Sequence, residues 1–168
     1  MKTITILLAT GLLALAGCGD EGGDPGGSAP AVTAEETVME KKGSDAMTKA
    51  PGAEITVADS EFGDMLFDSN KQAIYIFEND PNGESVCYGD CAEAWPPVLT
   101  TGEPEAKNGV NEGLLGTTER RDGKLQVTYA GKPLYYYAHE GPGEVRCHDV
   151  FLNGGYWWVV GSDGKRRP

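Results

Sequence analysis

From residue 54 onward, the chain alternates between short runs of β-branched or aromatic residues and turn-forming dipeptides. The dipeptides are Asn82-Gly83, Asn108-Gly109, Asp122-Gly123, Asn153-Gly154 and Asp163-Gly164. Such dipeptides favour the tight turns that connect antiparallel strands. No stretch of ten residues has a convincing helical period, so the pattern predicts an all-β domain.

The apolar runs predict individual strands and one clear hairpin. The candidate strands are Glu54–Ala58, Asp64–Asp68, Ala73–Glu78, Leu125–Ala130, Leu134–Ala138 and Tyr156–Gly161. The hairpin joins residues 117–121 to residues 124–130 through Asp122-Gly123. Residues 92–95 are expected to form one helical turn, because Pro96 and Pro97 cannot continue a helix. We expect the strands to form a small sandwich or a barrel-like domain.

Two segments of this region resemble each other at a constant spacing along the chain. Residues 66–91 overlay residues 126–151 without a gap, which aligns Tyr75 with Tyr135 and Cys87 with Cys147. The matches fall on aromatic, turn and cysteine positions. Since a lone hairpin is marginally stable in water, we expect two related hairpin repeats that pack face to face.

The N-terminal segment predicts export and a membrane anchor. Residues 1–17 have the positive start and short apolar run of a signal peptide, and Leu15-Ala16-Gly17 precedes Cys18. This ending is typical of a lipoprotein signal, with Cys18 as the acylated first residue of the mature chain. The alternative is an ordinary signal peptide in which Cys18 is incidental.

The remaining chain divides into a linker and a folded part. Residues 18–52 contain no aromatic residue and are rich in small and polar residues, which predicts a flexible linker. Residues 53–168 hold all 7 Tyr, 3 Trp and 4 Phe, and they form the predicted β domain. The formal net charge of the full chain is −12, which disfavours a nucleic-acid partner.

A set of motifs covers nearly all of the predicted domain. Residues 75–80 read Tyr-Ile-Phe-Glu-Asn-Asp, Cys87-x-x-x-Cys91 and Trp95-Pro96-Pro97 follow, and residues 121–135 contain a Gly-x-Pro-Leu-Tyr ending. Together they resemble the predicted bacterial lipoproteins named for the Yx(FWY)xxD motif, a secreted-repeat family. The resemblance implies a cell-envelope protein and carries no established biochemical role. The second copy of the motif has Glu140 in place of aspartate.

The motif residues have two interpretations. The candidates are Tyr75, Phe77, Asp80, Trp95, Tyr135 and Tyr137. Their rings could line a groove for a ligand or a peptide, because tyrosine combines an apolar ring with a polar hydroxyl. The alternative is that the rings pack in the core and that Asp80 caps amides in the following turn.

The cysteines also leave alternatives open. We expect a disulfide between Cys87 and Cys91, because export favours oxidation and the spacing suits a tight turn. Pairing of Cys147 with either of them is the main alternative. A further alternative is a soft-metal or haem site, or a redox function, that uses Cys87, Cys91, Cys147, His139 and His148.

No catalytic arrangement stands out in the sequence, and no Gly-x-Ser-x-Gly motif occurs. We therefore expect no enzyme activity and no cofactor. The expected function is a lipid-anchored binding or structural module of the cell envelope. Its expected partners are the membrane, through the lipid, and an unidentified envelope protein or small ligand. In a cell with two membranes, Gly19 next to the anchor favours the outer membrane.

Overall fold

The structure is a computed structural model that describes residues 51–81 and 83–168. The predicted signal peptide, Cys18, residues 18–50 of the linker and Asn82 lie outside the described residues.

Strands dominate the described chain, which confirms the predicted all-β class. The ten strands are β1 (Glu54–Ser60), β2 (Gly63–Asp68), β3 (Tyr75–Phe77), β4 (Leu99–Thr100), β5 (Glu105–Ala106), β6 (Leu115–Glu119), β7 (Leu125–Tyr129), β8 (Lys132–Pro133), β9 (Val150–Leu152) and β10 (Gly155–Val159). One short helix, α1 (Asp90–Ala94), and one 3-10 turn, Glu112–Leu114, complete the described elements.

These strands form three small sheets. Their orders are β2-β1-β5, β3-β10-β9 and β4-β7-β6, and β8 pairs with β7. No sheet closes into a barrel within the described residues, so the barrel-like alternative does not describe this arrangement. Single bridges and backbone hydrogen bonds join the sheets, including Leu66 N to Val160 O at 2.9 Å.

The predicted hairpin at Asp122-Gly123 is present and has a counterpart near the start of the domain. In the β1–β2 hairpin Ile55 pairs with Asp68, and in the β6–β7 hairpin Leu115 pairs with Tyr129. The first strands, β1 and β6, are separated along the chain by the same number of residues as the two copies of the motif. The second strands, β2 and β7, are separated by one residue more. The extra residue lies in the turn, where Gly123 has φ +76°. The gap-free overlay of residues 66–91 is therefore wrong for β2, because Leu66 corresponds to Val127.

A local two-fold axis relates the two halves of the domain. Tyr75 N donates to Tyr135 O at 2.8 Å, and Tyr135 N donates to Tyr75 O at 2.9 Å. Because Tyr75 and Tyr135 are equivalent residues of the two copies, their reciprocal antiparallel bonds place a local two-fold axis between them. Backbone bonds repeat accordingly: Glu78 N donates to Tyr156 O at 2.9 Å, and Ala138 N donates to Ala94 O at the same distance.

The alternation of residues in β3 divides the interior into two cores. The aromatic core contains Met65, Phe67, Ala73, Tyr75, Phe77, Cys87, Trp95, Tyr135, Cys147, Trp157 and Val159. The aliphatic core contains Ile55, Leu66, Ile74, Ile76, Val98, Val127, Tyr129, Leu134 and Val160. Tyr75 and Phe77 face the first core, while Ile74 and Ile76 face the second, as the period of a strand requires.

Several predicted elements need correction. Residues 134–138 do not form a strand, because Tyr135 makes only isolated bridges and the nearest strand is the two-residue β8. The predicted strand at residues 73–78 shortens to β3. The helical turn expected at residues 92–95 begins two residues earlier, at Asp90. The strands β4, β5 and β9 were not predicted from the sequence.

Candidate functional site

The two copies of the motif are joined by hydrogen bonds between their polar side chains. The Tyr75 hydroxyl donates to Glu140 Oε1 at 2.5 Å, and the Tyr135 hydroxyl donates to Asp80 Oδ2 at 2.7 Å. Asp80 and Glu140 are the acidic residues that end the two copies. Each tyrosine therefore bonds the carboxylate of the opposite copy, which follows from the antiparallel bridge between the tyrosines.

Each motif carboxylate also holds the loop that follows it. Asp80 Oδ1 accepts from Val86 N at 2.9 Å, and Glu140 Oε1 accepts from Arg146 N. The two amides themselves occupy equivalent positions in the two copies. The turn-capping interpretation of Asp80 therefore describes its geometry, and Glu140 performs the same role with a longer side chain.

Burial changes the pKa values of the tyrosines and carboxyls in these pairs. Asp80 is only 3 % exposed, and burial raises the pKa of its carboxyl. Burial also raises the pKa of Glu140 and of both tyrosine hydroxyls. The neighbouring carboxylate further raises the pKa of each tyrosine. The tyrosines consequently remain protonated donors at neutral pH.

The rings of the motif pack against each other across the two-fold axis. Trp95 and Trp157 stack with parallel planes and centroids 3.9 Å apart. Tyr75 meets Trp95 edge-on at 5.3 Å, and Tyr135 meets Trp157 edge-on at 5.1 Å. Phe77 stacks on Trp157 at 4.3 Å.

The structure therefore places most of the groove candidates inside the protein. Tyr75, Phe77, Trp95 and Tyr135 are buried members of the aromatic core, and Asp80 is buried beside it. Tyr137 is partly buried against the same core, with its ring 4.7 Å from Trp95. Core packing describes the rings of Tyr75, Phe77, Trp95 and Tyr135.

One half of the domain contains a buried polar network that the other half lacks. Arg120 is 4 % exposed and donates to Ser85 Oγ at 2.7 Å, Gln126 Oε1 at 2.6 Å and Cys87 O at 2.9 Å. The guanidinium also lies over the Tyr88 ring. At the positions equivalent to Arg120, Ser85 and Gln126 the first hairpin and its loop have Ser60, Val145 and Met65. Sequence reasoning missed Arg120, whose only signal was a basic residue directly after a strand.

The cysteines divide as expected between a disulfide and a free thiol. Cys87 and Cys91 are bonded, which confirms the predicted pairing, and the bond ties the loop after the first motif to α1. Cys147 is free and buried in the aromatic core. Burial raises the pKa of its thiol. Its equivalent Cys87 has a partner because Cys91 follows, whereas residue 151 is phenylalanine.

The cysteines and histidines of the metal alternative are not gathered into one cluster in the described chain. Residues 51–81 and 83–168 contain no group of three or more His, Cys, Asp or Glu side chains placed to hold a metal ion. The disulfide occupies the sulfurs of Cys87 and Cys91. The His148 ring lies 4.3 Å from Phe62, and the His139 ring lies 5.4 Å from Tyr137.

Two related clefts open on the surface, one beside each hairpin. The first cleft has a volume of about 610 Å³ and lies between β1 and the loop at residues 143–145. The second cleft has a volume of about 420 Å³ and lies between β6 and the loop at residues 84–86. Both the strands and the loops occupy corresponding places in the two copies. Sequence reasoning did not predict the clefts, because each combines residues from both halves.

Comparison with known proteins agrees with this division into halves. The model of a family described as a secreted repeat of unknown function matches the chain twice, over residues 56–99 and 116–161. No curated protein and no solved structure matches the chain. The part that the structure describes contains no helix long and apolar enough to cross a membrane. The chain belongs to the family of secreted repeats of unknown function, and its two copies build one two-fold domain.

Proposed function

We propose that the chain is a lipid-anchored protein of the cell envelope whose β domain is a non-catalytic binding module. The observation that carries the proposal is the use of the motif residues. The tyrosines and carboxylates that recur in both copies bond each other inside the domain. Side chains committed in this way stabilise a scaffold, and binding falls to the surface clefts beside the hairpins.

The anchor rests on the N-terminal sequence and on the family. Cys18 follows a short apolar segment, and the family is described as secreted. Two acyl chains on Cys18 would hold the domain at a membrane stably, whereas one chain gives marginal binding. The outer membrane is the proposed site in a cell with two membranes. The chain would then be one of the lipoproteins with the Yx(FWY)xxD motif.

Fractionation of cells that express the full chain tests the anchor. Wild-type protein is expected in the membrane fraction, with a mass that shows loss of residues 1–17 and addition of diacylglycerol and a fatty acid. Cys18→Ser is expected to remove the lipid and to release the protein from membranes. Recovery of the unprocessed chain in the cytosol would contradict the proposal.

Turnover assays test the non-catalytic part. The purified chain is expected to show no hydrolysis of ester, peptide or glycoside substrates above buffer, and no change in its visible spectrum on reduction. Turnover that disappears on substitution of a cleft residue such as Ser60 would show an enzyme instead.

A further inference from the structure

The β9–β10 hairpin carries an exposed patch of aromatic rings. Phe151 pairs with Tyr156 across the hairpin, and Trp158 follows on the same face of β10, because side chains alternate along a strand. The ring centroids of Phe151 and Tyr156 are 5.2 Å apart, and those of Tyr156 and Trp158 are 5.8 Å apart. Phe151 is 60 % exposed and Tyr156 is 42 % exposed. These three rings, called the aromatic patch, therefore form one row on the surface.

The first half of the domain shows that the fold does not require these rings. The repeated backbone bonds make Ala94 the equivalent of Tyr156, and Pro96 the equivalent of Trp158. In place of the β9–β10 hairpin, the first half has the short helix α1. Because large apolar side chains that are exposed together mark interaction sites, the aromatic patch is a candidate surface for a partner.

Polar groups of both signs lie at the edge of the aromatic patch. The Arg166 guanidinium lies over the Trp158 ring, with its Cζ 4.3 Å from the ring centroid. Trp158 Nε1 donates to Glu78 Oε2 at 3.2 Å, so a cation and a carboxylate contact the same indole. Asp149, which precedes β9, is a second exposed carboxylate. With charges of both signs at its edge, the patch attracts a partner mainly through its rings.

The orientation and the area of the rings distinguish among partners. The Phe151 ring stands at 75° to the Tyr156 ring, so the patch is not a flat platform for a stacked ligand. Phe151 and Tyr156 together expose roughly 200 Å² of side-chain surface. A stable interface between two proteins buries about 800 Å² on each partner. A lipid surface is fluid and accommodates separate rings without a matching shape, so the observations favour a membrane.

The residues of the aromatic patch suit the boundary between lipid headgroups and acyl chains. Tyrosine and tryptophan are enriched at this boundary, because each combines an apolar ring with a polar atom that stays hydrated. A guanidinium such as that of Arg166 can donate hydrogen bonds to a lipid phosphate.

The proposed anchor would keep the domain close to such a boundary. Residues 19–50 separate Cys18 from the described domain and can span at most roughly 110 Å. A domain held within this distance meets the membrane at a high effective concentration, so even a weak contact forms.

From these observations we propose that the aromatic patch inserts into the surface of the membrane that carries the anchor. Phe151 enters the boundary of the acyl chains, Tyr156 and Trp158 lie at the level of the headgroups, and Arg166 bonds a lipid phosphate. The contact fixes one face of the domain toward the membrane. This inference rests on the proposed function as an anchored protein and adds a second, orienting contact.

Quenching of tryptophan fluorescence by brominated lipid tests the insertion. The mature chain, residues 18–168, is coupled through the Cys18 thiol to phosphatidylcholine vesicles that contain a maleimide lipid, so the result does not depend on acylation in cells. Trp95 and Trp157 are fully buried, whereas Trp158 is partly exposed and reports on the patch. Phosphatidylcholine with brominated acyl chains is expected to quench Trp158. Most of the quenching should persist in 0.5 M salt, because salt screens charges and leaves ring burial unchanged.

Variants separate insertion from proximity to the membrane. Phe151→Ser and Tyr156→Ser should each lower the ratio of inserted to free domains roughly tenfold, because each removes an apolar ring from the boundary. Arg166→Gln should lower it roughly twofold. Leu99→Ser, at a comparably exposed residue (41 %) of the first half, is the matched control and should leave the quenching unchanged. Urea unfolding checks that each variant is folded.

The outcomes distinguish this inference from the proposed function. Absence of quenching in the coupled wild type, or equal quenching in the wild type and both serine variants of the patch, would overturn the insertion and leave the anchor untouched. A dimer of the Cys18→Ser chain that is lost on Phe151→Ser, measured by analytical ultracentrifugation, would show that the patch joins two copies instead. The anchor itself is tested by fractionation, which does not depend on the patch.

Discussion

The tyrosine and the carboxylate of the repeated motif act on opposite halves of the domain. Tyr75 bonds Glu140, and Tyr135 bonds Asp80. The replacement of aspartate by glutamate in the second copy keeps both bonds, because the longer side chain still reaches the tyrosine and the amide of the loop. A buried carboxylate without these donors would be costly, so each bond depends on the correct approach of the other half.

The raised pKa of Asp80 predicts a characteristic dependence of stability on pH. Its pKa in the folded state lies above the ordinary value of 3.8, so the folded protein holds a proton that the unfolded chain has lost. The resulting stability is present below the ordinary pKa and is lost as the pH rises through the folded pKa. Relative to Asp80→Asn, the wild type should lose stability as the pH rises from acidic values above the ordinary carboxyl pKa.

Urea unfolding of both proteins across this pH range measures the difference. Glu140→Gln should change the profile in the same direction, because burial also raises the pKa of Glu140. A wild type that gains stability relative to both variants as the pH rises would contradict the raised pKa values of Asp80 and Glu140.

The free thiol of Cys147 should be unreactive in the folded protein. It is buried in the aromatic core, and its pKa is raised, so little reactive thiolate is accessible at neutral pH. A thiol-specific reagent should react ~10-fold or more slowly with the native chain than with the chain in urea. The comparison uses the Cys18→Ser chain, in which Cys147 is the remaining free thiol. Equal rates in the two states would show that the thiol is exposed.

Among the structural elements, those set by local patterns were predictable from the sequence. The alternation of isoleucine with Tyr75 and Phe77 correctly predicts a strand that faces two sides, and Asp122-Gly123 correctly predicts a hairpin. The extra residue that separates β2 from β7 was missed, because the two segments were aligned on the motif residues. The short strands β4, β5 and β9 depend on partners far along the chain and have weak patterns of their own.

The candidate site was less predictable, because it also depends on contacts between residues that are far apart along the chain. The constant spacing between the two copies indicates a duplication, but it does not show that Tyr135 bonds Asp80 instead of Glu140. That information lies in the antiparallel bridge between the halves. The disulfide joins two cysteines that are close in sequence, and its prediction was confirmed.

The bond between Cys87 and Cys91 should stabilise the fold only modestly. It closes a very short loop, for which the loss of chain entropy in the unfolded state predicts about 2 kcal/mol. The double variant Cys87→Ala/Cys91→Ala should therefore fold and lose roughly that amount, measured by urea unfolding. Failure of the double variant to fold would show that the bond determines the fold and does more than hold α1.

In the whole molecule, neither half is complete alone. The aromatic core takes Trp95 from one half and Trp157 from the other, and the clefts combine a strand from one half with a loop from the other. This arrangement explains how a secreted repeat forms a stable domain of modest size: each copy supplies what the other lacks. It also buries Tyr75, Phe77, Asp80 and Tyr135.

Separate halves should therefore fail to fold. Residues 51–111 and residues 112–168, produced as two chains, should each lack the near-ultraviolet circular dichroism of the buried tryptophans, since isolated hairpins are marginal in water. The mixture should recover part of that signal by association. A single half that unfolds cooperatively would contradict the interdependence of the copies.

The most direct test of the hydrogen bonds between the two halves is a double-mutant cycle measured by urea unfolding. Tyr75→Phe removes the donor, and Glu140→Gln the charge of the acceptor, in a bond that crosses the two-fold axis, and their coupling energy should be about 0.5–3 kcal/mol. Tyr75→Phe with Asp80→Asn, two residues of the same copy, is the matched control, and its coupling should be close to zero. Strong coupling within the same copy and none across the axis would contradict the account.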